Sequence, residues 1–127
     1  MIQNGSYLNI IDNSGAKEVS CIKVFPGYKR RYAYCGSTIL VSVKSLRSKR
    51  RLNSKVKKGD VLKALVIRTK VPSKSFMGDS FTFFENSALL LNKSNKLLGT
   101  RIFGVIPKFF RQTKYLKICS LSLGLIA

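Results

Sequence analysis

The stretch from Arg47 to Lys70, RSKRRLNSKVKKGDVLKALVIRTK, constrains this chain more than any other. Between Arg47 and Lys58, seven of twelve residues are Lys or Arg and none is acidic. From Val61 to Ile67 the chain turns apolar and reads as a buried strand. A buried strand requires partner strands and a core. The basic half requires a polyanion, or it stands in solvent as a charged loop.

Size and composition allow such a core. A chain of 127 residues is one domain and can bury a core without disulfides or metals. Hydrophobic residues reach 45%, too many for a disordered basic tail despite the net charge of +19. Lys and Arg number 24 against five acids, so most cations have no partner within the chain. Nucleic acid is the leading candidate for an anionic partner, and an anionic membrane surface is second. Apolar runs of about four residues fall far short of the roughly 20 that a spanning helix needs. The N-terminal MIQNGSYLNIIDNSG lacks the pattern of a secretory signal and of an Arg-rich transit peptide. Cys21, Cys35 and Cys119 are widely spaced, with no CxxC and no His, so they read as small apolar residues of a reducing compartment.

Turn chemistry divides the chain into short strands. Tyr7–Ile11 ends at Asp12-Asn13-Ser14-Gly15, and EVSCIKVF at Glu18–Phe25 ends at Pro26-Gly27. STILVSVK at Ser37–Lys44 follows Gly36, and Gly59-Asp60 turns the chain into Val61–Arg68. Residues 69–85 read as an excursion, a β-ribbon with its tip at Met77-Gly78-Asp79 and Phe81, Phe83 and Phe84 on the return arm. Contact between the ribbon arms is the simpler role for these rings. Ala88–Leu91 is a fifth strand, and Pro107–Gln112 and Lys114–Ser120 read as short helical turns. Five short strands, most of them apolar on both faces, predict a mainly β fold: a small closed five-stranded β-barrel of OB or SH3-like type. The expected single domain has a barrel at about 1–68 and 86–105, a ribbon at about 69–85 and a helical segment at about 106–127.

Catalysis finds little support. His, the usual general base near neutral pH, is absent. The five acids are scattered, three of them beside turn residues where capping is the simpler role. No phosphate-binding glycine loop, nucleophile elbow, metal-ligand cluster or cofactor motif is present. Binding finds more. Basic clusters fall at Lys29-Arg30-Arg31, Arg47 to Lys58, Arg68 with Lys70 and Lys74, Lys93 with Lys96, and Lys108 to Lys117. Loop cations of this kind contact phosphates and release counterions. Tyr28, Tyr32 and Tyr34 flank the first cluster, where they can stack on unpaired bases. A free OB-like single-strand binder is the competing class, but it would place stacking aromatics on one barrel face, whereas these strands are aliphatic.

Several blocks together resemble one family. They are Asp12-Asn13-Ser14-Gly15-Ala16, Cys21-Ile22-Lys23-Val24, Arg30-Arg31-Tyr32-Ala33, Lys55 to Ala64 with Arg68-Thr69-Lys70, and Gly99 to Gly104. In order and spacing the chain is similar to the universal large-subunit ribosomal protein L-fourteen family, over Met1 to about Leu123. The resemblance implies a β-barrel with a protruding ribbon and short C-terminal helices, bound to large-subunit rRNA at the subunit interface. It further implies bridges to small-subunit rRNA and contacts with the L-three and L-nineteen proteins. Carried onto this chain, the implied rRNA contacts are Asn13, Ser14, Lys23, Arg30, Arg31, Tyr32, Lys57, Lys58, Arg68, Lys70 and Arg101, with Thr100 beside the last. Ser45–Ser54 departs from the family pattern, and Arg50 and Arg51 within it are expected to reach an additional rRNA or protein surface. Richness in Lys, Asn, Ile, Phe and Leu is typical of AT-rich organelle genomes and points to a mitochondrial member, with a plastid or bacterial one as the alternative.

Overall fold

The computed structural model describes residues 1–25, 29–48, 54–75 and 77–126. In chain order the elements are β1 (Tyr7–Ile10), β2 (Ala16–Val24), β3 (Thr38–Leu46), β4 (Val61–Arg68), β5 (Ser73–Lys74), β6 (Ser80–Phe81), β7 (Ser87–Leu91) and β8 (Val105–Pro107). A 3₁₀ helix at Lys108–Gln112, α1 (Leu116–Leu121) and β9 (Gly124–Ile126) follow. The expected barrel is present. Its strands close in the order β1-β2-β3-β4-β7, antiparallel except where β7 returns parallel to β1. Register shifts at three points in β2 and one in β4 add the local bend that a five-strand closure demands.

The barrel interior is filled by alternate residues of each strand. Leu8 and Ile10 meet Val19, Cys21 and Val24, then Ile39, Val41 and Val43, then Ala64, Val66, Ala88 and Leu90, all at most 2% exposed. This is the period-two pattern of a half-buried strand. The apolarity of both faces has a different origin. It is concentrated in β4 and β7, whose outward Leu65, Ile67, Leu89 and Leu91 form a second core with Ile102, Ile106, Phe110 and Ile118. The C-terminal segment therefore serves as an outer layer on one side of the barrel.

Two turns show the local chemistry. Asp12 is buried, and its carboxylate accepts the Ser14 N–H at 3.0 Å, the Ser14 hydroxyl at 2.5 Å and the Leu90 N–H at 3.2 Å. At the β3–β4 turn, Asp60 Oδ2 accepts the Lys57 N–H at 2.8 Å. Both acids cap turns, as their positions predict.

The ribbon is a short one. β5 pairs antiparallel with β6, and Ser75 N–H donates to the Asp79 carbonyl at 2.6 Å across the tip. Phe81 is buried and meets Phe83 edge-on at 5.8 Å, a contact along the return arm and not between the two arms, whereas Phe84 is fully exposed. Both expected helical turns form, and Pro107 stands immediately before the 3₁₀ helix. Strand β9 is an addition to the elements that the sequence pattern predicts. It pairs parallel with β8, brought back when the chain leaves α1 and the Leu123 N–H meets the Gly104 carbonyl at 3.3 Å. Three residues starting at a glycine carry too little pattern to be read as a strand. Among the described residues no helix is long and apolar enough to cross a membrane.

Candidate nucleic-acid interface

Exposed cations rise from five places on the molecule. Arg30, Arg31 and Tyr32 lie on the loop before β3 and are all exposed. That loop is tied down by Ala33, which exchanges two backbone hydrogen bonds with Ile2 at 2.7 and 2.9 Å. Lys57 and Lys58 stand exposed on the β3–β4 turn, made rigid by the Asp60 cap. Lys23 projects from β2, and Lys70 from the base of the ribbon, where its backbone N–H is held by Asn86 Oδ1 at 3.0 Å. Arg101 is exposed with its guanidinium 5.8 Å from the Phe103 ring centre, while Arg47 sits 5.3 Å from the same ring. Each cluster is thus carried on an anchored turn or strand end. Arg50, Arg51 and Tyr28 lie outside the described residues.

Three residues expected at the interface are instead occupied inside the chain. Ser14 is 1% exposed, and its hydroxyl is committed to Asp12. Asn13 accepts the N–H groups of Thr100 and Arg101 at 2.8 and 3.3 Å and donates to the Thr100 hydroxyl at 2.9 Å. It places Arg101 beside the first turn. Gly99 makes this approach possible, since a Cβ there would lie 2.8 Å from Asn13 Oδ1.

Arg68 is the most heavily engaged cation. Nε donates to the Val105 carbonyl at 2.9 Å, Nη2 to the Phe103 carbonyl at 2.6 Å and Nη1 to Glu85 at 2.9 Å. Its side chain is 13% exposed. The guanidinium occupies the space where a Cβ of Gly104 would lie, and Gly104 has φ +83°, so glycine is required there twice over. Glu85 also accepts from Ser87 and Asn9. Partial burial pushes its carboxyl upward, but those two hydrogen bonds and the Arg68 charge outweigh this and hold it below the usual range. Asn13, Ser14 and Arg68 therefore position the cationic surface. A polar residue in a basic context gives no sequence signal of whether its donors face inward or outward.

The structure also gathers lysines that the sequence keeps apart. A groove of about 680 Å³ is rimmed by Lys55, Lys96, Lys114 and Lys117. Leu97, Leu98, Ile118 and Leu121 line it, and Tyr115 carries the Lys114 ammonium 5.2 Å from its ring centre. Their separate clusters were the available signal, and only the packing of α1 against the 92–99 connection joins them.

The acids do not neutralise this surface. Asp12 and Asp60 are used in turns, and Arg68–Glu85 is the one ion pair among the described residues. Those residues hold no group of three or more His, Cys, Asp or Glu suited to a metal. The Cys35 thiol donates to the Ile67 carbonyl, and burial pushes its pKa up to about 12, so it is a poor nucleophile. The arrangement presents exposed cations on anchored loops, a chemistry suited to phosphate. Among known protein families, the model of ribosomal protein L14p/L23e matches residues 1–126.

Proposed function

Because the chain belongs to the ribosomal protein L14p/L23e family and so is a structural protein of the large ribosomal subunit, we propose that it binds large-subunit rRNA near the subunit interface. Arg30, Arg31, Lys23, Lys57, Lys58, Lys70 and Arg101 contact RNA, with Tyr32 placed to stack on a base. Asn13, Ser14 and Arg68 hold these groups in register. The same surface contributes to bridges with small-subunit rRNA and abuts the L-three and L-nineteen proteins. Arg50 and Arg51 reach a further rRNA or protein surface. The subunit is that of a mitochondrial ribosome, the reading that the Lys-, Asn- and Ile-rich composition favours.

The observation that carries this reading is the exposed cationic surface on anchored turns. Backbone phosphates are neutralised by loop Lys and Arg while the barrel fixes the spacing of those loops. With about six phosphates contacted, log K falls against log salt with a slope of roughly −4 to −5. Filter binding to an rRNA fragment at several salt concentrations measures it. A slope near zero contradicts the proposal.

A further inference from the structure

The outer surface of the barrel is covered by the chain itself at the β4–β7 side. Across β1, β2, β3 and the start of β4 it remains open, with Tyr7 63%, Val61 56% and Ile22 41% exposed. The strand register gives this surface an order. Tyr7 pairs with Ser20, Ser20 with Ser42, and Ser42 with Val61, so these four form one row across four strands. The adjacent row is Lys23, Leu40 and Lys63. The middle of the face is therefore low: two short hydroxyl side chains, Ser20 and Ser42, beside the half-buried Leu40, with Tyr7, Val61, Lys23 and Lys63 at its margins.

We infer that this face docks the minor groove of a double-stranded RNA helix. The inference rests on the ribosomal reading and deepens it, because it adds a shape-reading surface to the phosphate-reading loops. The minor groove of A-form RNA is wide and shallow and displays ribose 2′-hydroxyls. Ser20 and Ser42 let the sheet approach closely and offer hydroxyls that both donate and accept. Lys23 and Lys63 stand at opposite ends of their row, two strand spacings apart, about 10 Å. The Lys63 ammonium is already held by Asn95 Oδ1 at 3.2 Å. Lys17 and Lys44 are exposed on the same strands, where Glu18 is the one acid. Tyr7, Ile22 and Val61 supply apolar contact for sugars.

Other occupants fit less well. A single strand with unpaired bases requires aromatic platforms at the centre, and the only ring here, Tyr7, stands at the edge. A protein partner requires a pocket for a buried anchor, and a pair of serines offers none.

The test uses the full chain with Ser20→Trp and Ser42→Trp. Both positions face outward on strands that accept aromatic residues, and an unchanged thermal transition confirms folding. The probes are a 16-base-pair RNA duplex, the DNA duplex of the same sequence and a single-stranded RNA. The wild type is expected to prefer the RNA duplex over the DNA duplex. The double variant is expected to lose about tenfold on the RNA duplex, the scale of one or two net hydrogen bonds, and nothing on the single strand. Equal binding of RNA and DNA duplexes by the wild type overturns the inference, as does a variant that binds the RNA duplex normally. If that normally binding variant also fails to enter large subunits, the face takes a protein instead. Normal entry leaves the ribosomal reading standing without this face.

Discussion

At the scale of single residues, Arg68 decides how the surface is held. Its three donors join β4 to the carbonyls of Phe103 and Val105 and to Glu85. Arg68→Met is expected to destabilise the free protein by about 2–3 kcal/mol, since each net hydrogen bond contributes roughly 1. Arg68→Lys restores only part of this, because an ammonium lacks the planar fork. Urea denaturation of both variants measures the difference, and a neutral Arg68→Met contradicts the assignment. Glu85 makes the clamp sensitive to pH. Its folded-state pKa lies below the ordinary value of 4.5. Its contribution is therefore complete above that value and is lost as pH falls through the depressed folded value. The stability gap between wild type and Glu85→Gln should be constant near neutrality and close under acid, and a gap that widens in acid contradicts this sign. Gly104→Ala, with φ +83° and the guanidinium in the way, is expected to cost more than about 1 kcal/mol.

At the scale of elements, the C-terminal segment acts as the outer half of the core. Phe110 and Ile118 are fully buried against the outward residues of β4 and β7. Phe110→Ala is expected to cost about 3–5 kcal/mol. It should also loosen the groove formed by Lys55, Lys96, Lys114 and Lys117, because α1 carries part of that rim. Hydrogen exchange separates the two effects: amides of α1 and β9 should lose protection before those of β2 and β3. The five barrel strands were legible because their alternation and their turn residues agree, as at Asp12-Asn13-Ser14-Gly15 and Gly59-Asp60. The double-sided apolarity of β4 and β7 was also visible, but its cause was not. Residues in local sequence cannot show that Leu65 and Leu89 meet Phe110 and Ile118 from a segment at the far end of the chain. The same limit hid β9 and the inward commitment of Asn13, Ser14 and Arg68. Loop cations such as Arg30, Arg31, Lys57 and Lys58 stand exposed outside the strands, as the turn residues beside them predict.

At the scale of the whole molecule, a net charge of +19 acts on folding and on binding in opposite directions. Self-repulsion weakens the compact state at low ionic strength, so moderate salt should raise the melting temperature of the free chain. The same salt should weaken RNA binding by displacing the gain from counterion release. A free chain whose stability falls as salt rises from low concentration contradicts the picture of unpaired surface charge. Binding should also stabilise: at saturating RNA the melting temperature rises with RNA concentration. The central claim is that this barrel is a fixed part of the large ribosomal subunit. Sedimentation of a lysate containing the tagged chain tests it most directly. At low salt the chain should co-migrate with the large subunit and with intact ribosomes, and high salt should release it. A chain that stays at the top of the gradient at low salt contradicts the account.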